Sequence, residues 1–166
     1  MLKLVLIPAG VALAMLAPAA AAQAIGPDAA ACRADADRPA ILVNVSGFKS
    51  PTGQLRVQLY PGNSDFLVKG KWLRRIDLPV HGNEPMHICL AVPKAGNYAV
   101  AVRHDTKNNG SDWNDGGGFS RNPKLTIFSY KPKVSEVTVP VGNGVRSIDV
   151  VLNYRQGLSI GPVGRG

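Results

Sequence analysis

The chain has 166 residues, with 19 Lys and Arg against 11 Asp and Glu, a formal net charge of +8 and two cysteines. About 140 residues remain once an exported leader is set aside, enough for one hydrophobic core and too few for two comfortable domains. The cations are spread singly, with no block of five or six, which is the pattern of a solvated surface rather than of a nucleic-acid-binding arm.

Residues 1–24 have the plan of a secretory signal. Lys3 gives the positive start, Leu4 to Leu16 is apolar and broken only by Pro8, and Ala19, Ala20, Ala21, Ala22, Gln23 and Ala24 offer A-x-A cleavage positions. The apolar run of about 13 residues is shorter than the roughly 20 that a membrane span requires, and a retained anchor is the alternative. No later stretch is long or apolar enough to span. The expectation is cleavage near Ala22–Ala24 and a soluble mature chain in the periplasm or outside the cell. Export takes nucleic acid out of the set of partners and leaves an envelope component or polymer in it, such as an anionic polymer or a lipid head group.

Residues 25–39 are small, polar and charged and read as a tether. Cys32 within it and Cys89 are the only cysteines, and in an oxidising compartment such a pair is expected as a disulfide. Closing a loop of about 57 residues is worth roughly 4 kcal/mol on the chain-entropy estimate. Lipid attachment at Cys32 is the competing reading, but Pro27 and Asp28 separate it from the apolar leader.

The domain proper is expected over residues 40–154. Ile41, Val43 and Val45 alternate with Leu42, Asn44 and Ser46, and Leu55, Val57 and Leu59 with Arg56, Gln58 and Tyr60, the period of half-buried strands. The stretch from Phe66 to Val68 fits a helical turn or a strand. Ile76, Leu78 and Val80 form a short strand that Pro79 assigns to an edge. Met86, Ile88, Leu90 and Val92 alternate with His87, Cys89 and Ala91. By parity Cys89 points away from the main apolar face, so a Cys32–Cys89 bridge pins the tether across the outside of a sheet. In the next strand Tyr98, Val100 and Val102 lie on one side, while Ala99 and Ala101 on the other leave room for something to approach. Val137, Val139 and Val141 make a sixth strand, and Ile148, Val150 and Leu152 a seventh. Residues 155–166 are expected as a flexible tail. About seven short strands with frequent turns and no helix of normal length predict an all-β fold, a single antiparallel β-sandwich.

Residues from Asp105 to Pro123 are almost wholly polar and glycine-rich. Asp105, Asn109 and Gly110 fit the D-x-[DN]-x-[DN]-G pattern of a calcium loop, and Asp112 or Asp115 adds a carboxylate. Lys107 stands at the middle ligand position and Gly116 where such loops carry a bidentate glutamate, so the other reading is an ordered turn. Trp113 and Phe119 either anchor the segment or, exposed together, make a stacking platform.

Gly96-Asn97-Tyr98-Ala99-Val100, His104-Asp105, Asn109-Gly110 and Gly117-Gly118-Phe119-Ser120-Arg121-Asn122 together resemble the bacterial domain-of-unknown-function family 2141. The resemblance covers about Ile41 to Tyr154. It implies an exported sandwich of the transthyretin or immunoglobulin type and no established activity. In that family the loop often reads H-D-x-N-x-N-G, and Lys107 here replaces the first asparagine.

Catalytic chemistry has thinner support. His81, His87 and His104 lack the paired spacing of zinc ligands. Ser120 with His104 and Asp105 has the residue types of a hydrolase. Adjacent strand residues point to opposite faces, however, so Asp105 is badly placed to orient His104. No catalytic residue is assigned and no cofactor is expected unless calcium binds at Asp105, Asn109 and Asp112. The expected role is a non-enzymatic binding or structural module. Its candidate loop residues are His104, Asp105, Asn109, Asp112, Trp113, Asp115, Phe119, Ser120, Arg121 and Asn122. A calcium-stabilised domain and a hydrolase are the alternatives.

Overall fold

The computed structural model describes residues 23–164, so the expected leader lies outside the described residues apart from Gln23 and Ala24. In chain order the strands are β1 (Ala40–Ser46), β2 (Gln54–Pro61), β3 (Arg74–Pro79), β4 (Met86–Ala91), β5 (Gly96–Asp105), β6 (Gly116–Phe119), β7 (Val139–Val141), β8 (Val145–Val151), β9 (Asn153–Gln156) and β10 (Ser159–Pro162). A one-turn helix, α1 (Val134–Val137), precedes β7. The smaller sheet runs β4-β1-β8 and the larger β10-β9-β6-β5-β2-β3, with β7 beside the first residues of β5. Every pairing is antiparallel except that of β1 with β8, which is parallel. No helix among the described residues is long and apolar enough to cross a membrane.

The alternation seen in the sequence builds the core. Ile41, Val43 and Val45 of β1, Ile88 and Leu90 of β4 and Val150 of β8 meet Leu55, Val57 and Leu59 of β2 and Val100 of β5, and all of them are wholly buried. Each such side chain contributes about 1.5–3 kcal/mol relative to an exposed one. The fold is the expected β-sandwich, with β3 at an edge as Pro79 required.

Three strands were not legible. β6 lies inside the polar segment, and β9 and β10 form a hairpin that runs into residues 155–166, expected to be a tail. Gly157, at φ 63°, occupies the first central position of the two-residue turn that reverses the chain there. The hairpin is held further by the Gln156 side chain, whose Nε2 donates to the carbonyls of Gly161 and Pro162 at 3.2 and 2.9 Å.

The tether is also more ordered than its composition suggests. Ile25 adds a parallel bridge to β4, donating to the His87 carbonyl at 2.8 Å and accepting from Cys89 N–H at 3.4 Å. A 3₁₀ turn at Ala29–Cys32 then brings Cys32 to Cys89, with Cα atoms 5.9 Å apart and the disulfide formed. Cys89 lies on the outward face of β4 yet is fully buried. Asp28 accepts from Arg74 Nε of β3 at 2.8 Å and from Ala91 N–H of β4 at 3.1 Å. The segment thus laces an edge strand of one sheet to an edge strand of the other, covering donors and acceptors that edges otherwise expose.

A cleft on the larger sheet

β5 and β6 run side by side in the middle of the larger sheet, and Ala101 and Gly117 leave room on their outward faces. Ala101 pairs with Phe119 and Arg103 with Gly117, and a methyl group placed on Gly117 meets nothing within 4 Å. Leu67, Trp113 and Tyr130, from three different loops, join these strands to line a cleft of about 560 Å³. The room that Ala101 leaves in the sequence is therefore filled by neither a further layer nor the disulfide, which sits on the other sheet.

One wall carries Tyr60 and Phe119, each edge-to-face with Phe66, at 5.6 and 6.0 Å. The rim carries Trp113, 66% exposed, with Tyr130 at 6.3 Å and the Arg155 guanidinium 5.5 Å from its ring. Trp113 and Phe119 therefore take separate parts: Phe119 packs into the wall and Trp113 stands open to solvent. The floor carries Gln58, Arg103, Asp115 and Asn153.

The polar loop is held by its own carboxylates. Asp105 accepts from Asn109 N–H at 3.2 Å and Gly110 N–H at 2.8 Å, and Asn108 and Gly110 take the positive φ values that the turn needs. Burial raises the Asp105 pKa, but those amides and Arg103 outweigh it and hold the group below its ordinary value. Asp112 accepts from the backbone and side-chain N–H groups of Asn114, each at 3.0 Å, and faces Lys107 at 3.6 Å. The Asn114 amide is the main reason its pKa is lowered. Asp115 accepts from Asp112 N–H at 3.1 Å. Burial, with Asp105 and Asp112 adding like charge, raises its pKa despite that amide and Arg103.

The carboxylates of Asp105 and Asp112 are thus spent on loop amides rather than turned toward one centre. No three His, Cys, Asp or Glu groups among the described residues are arranged to hold a metal ion. Lys107 sits on Asp112 as its counter-ion, where a cation ligand was the alternative expectation.

His104 and Ser120 are both fully buried and both committed elsewhere. His104 faces the core, opposite in parity to Asp105. Its Nε2 donates to the Thr52 carbonyl at 2.8 Å and its Nδ1 lies 2.6 Å from Tyr154 Oη. Ser120 Oγ donates to the Val137 carbonyl and accepts from Val100 N–H at 3.0 Å, tying β5 to α1. No nucleophile–base pair forms from them. Arg121 donates to the Ser135 carbonyl at 2.9 Å. Asn122 places its amide along β8, donating to the Asp149 carbonyl and accepting from Val151 N–H, and so dresses the open edge of the smaller sheet.

Of the candidate residues, Asp112, Trp113, Asp115 and Phe119 line the cleft, whereas His104, Asp105, Asn109, Ser120, Arg121 and Asn122 shape the framework around it. Gln58 and Arg103 were legible only as outward strand positions. Tyr130 and Arg155 left no signal in the sequence, because nothing local marks them as neighbours of Trp113.

Neither a curated protein nor a solved structure matches the chain. One family model does, over residues 43–149, and its description is "Uncharacterized protein conserved in bacteria (DUF2141)". The matched span runs from β1 to β8 and includes the polar segment, as the H-D…N-G…G-G-F-S-R-N series led one to expect. The chain belongs to this bacterial family of uncharacterised proteins, DUF2141.

Proposed function

We propose that this protein is an exported binding module that holds an envelope component or polymer in the cleft on its larger sheet and does no chemistry on it. The observation that carries this reading is the exposed Trp113–Tyr130 pair standing over a floor of small and polar residues. Large rings left in water at the mouth of a concave site favour a bound partner, since covering them gains free energy that solvent cannot supply. A rigid sandwich carrying a recognition loop suits binding. The leader-like residues 1–24 and the Cys32–Cys89 bridge favour an oxidising compartment outside the cytoplasm.

The test is co-sedimentation of the purified protein with the envelope fraction of the producing cells. Loss of sedimentation in a Trp113→Ala/Tyr130→Ala variant of unchanged melting temperature supports the cleft. Equal sedimentation of variant and parent removes it. Cell fractionation with mass measurement of the N-terminus tests export: an uncleaved chain in the cytoplasm is the contrary result.

A further inference from the structure

Arg103 is the most unusual group in the cleft. Its side chain is three-quarters buried, yet its nearest charged partners are Asp105 at 4.0 Å and Asp115 at 3.9 Å, both beyond hydrogen-bond reach. Arg103 Nε and Asp115 Oδ1 are buried with no partner, and the Asp115 side chain is only 7% exposed. An unmet donor and an unmet acceptor on neighbouring side chains are both answered by a group that donates and accepts, as a hydroxyl does. Gly117 lies opposite Arg103 in the ladder and leaves open space, so the guanidinium has room to turn and admit it.

The charges around the floor narrow the ligand further. A full anion meets Asp112 and Asp115, and a full cation meets Arg103, Arg155 and Lys131. A neutral molecule rich in hydroxyls meets neither difficulty. The rim adds a flat apolar surface: Trp113 keeps 66% of its surface exposed even with Arg155 beside its ring. The C–H face of a pyranose ring is apolar and covers such a surface, while its hydroxyl edge stays free to reach the floor.

We propose that the cleft takes a neutral saccharide, one ring lying on Trp113 and one hydroxyl accepting from Arg103 and donating to Asp115. The proposal deepens the binding-module reading and rests on it.

The purified protein is titrated with cellohexaose, chitohexaose and maltohexaose while the Trp113 indole N–H resonance is followed. The expected result is a saturable shift with at least one of them, at a Kd of about 1 mM or tighter. Trp113→Ala, at an exposed position, and Gly117→Leu, which fills open space on the floor, each weaken binding about tenfold or more without lowering the melting temperature. Asp115→Asn puts a second donor beside Arg103 and weakens it as well. In the envelope assay, periodate treatment, which cleaves vicinal diols, abolishes cleft-dependent sedimentation and protease treatment does not.

No shift with any hexasaccharide overturns the proposal. So does sedimentation that survives periodate but not protease, or transfer of binding to anionic phospholipid vesicles through the exposed Phe128 and Leu158. In those cases the binding-module reading still stands if the Trp113→Ala/Tyr130→Ala variant loses the envelope. If that variant binds as the parent does, the reading itself falls.

Discussion

Tyr154 Oη lies 2.6 Å from Nδ1 of His104, joining β9 to β5 inside the sandwich. The Thr52 carbonyl can only accept, so Nε2 carries a proton, and in the neutral imidazole Nδ1 accepts from the phenol. The phenol oxygen in turn accepts from Lys49 N–H at 3.1 Å. Every donor in this line has an acceptor when the imidazole is neutral.

Tyr154→Phe removes the middle of that line and leaves a buried imidazole nitrogen and a backbone N–H unmet. The expected loss is about 2–4 kcal/mol, since unsatisfied buried groups cost about 1–3 kcal/mol each. Denaturant unfolding checks it: the midpoint falls while the slope stays constant.

The same residue gives an alkaline signature. Burial pushes the Tyr154 pKa up to about 12 from an ordinary 10.0, with the Lys49 amide opposing and the Asp115 charge adding to the rise. Between these values the unfolded chain has released the phenol proton and the folded chain has kept it. Stability from this group is complete below pH 10 and is lost as pH rises toward 12, by an amount on the order of 3 kcal/mol. Tyr154→Phe, weaker at neutral pH, should show a shallower decline over that window. Parallel declines would assign it to other groups.

Reduction of Cys32–Cys89, or its replacement by alanines, removes a cross-link spanning 57 residues. The expected loss is up to about 4 kcal/mol. Residues 25–39 should become sensitive to protease while the cleft, on the other sheet, keeps its ligand.

Three successive glycines of β6 should behave differently. A Cβ on Gly116 comes within 2.5 Å of the Tyr154 ring, and one on Gly118 within 2.6 Å of Val150 Cγ1 and 2.9 Å of the Val151 carbonyl oxygen. Gly116→Ala and Gly118→Ala should each cost about 1–3 kcal/mol through overpacking. Gly117→Ala faces the open cleft and should change stability by less than about 0.5 kcal/mol. Melting temperatures of the three variants decide it.

Calcium should leave the melting temperature unchanged, because the Asp105 and Asp112 carboxylates already accept from amides of their own loop. A rise that saturates with calcium would mean that the loop rearranges around an ion.

The sequence by itself determined the sandwich, the edge position of β3 and the outward aim of Cys89, because strand parity is a local property with a period of two residues. It also singled out residues 105–122, and of the candidate side chains there Asp112, Trp113, Asp115 and Phe119 line the cleft. It did not show β6, whose Gly116 and Gly118 hold no alternating apolar side chains, nor the β9–β10 hairpin, whose strands are short and polar. Only the tertiary structure decided that the outward face beside Ala101 and Gly117 is an open cleft, and that Trp113 meets Tyr130 and Arg155 there. Parity tells which side chains share a face. What covers that face depends on loops distant in sequence, and their packing is not written in any local pattern.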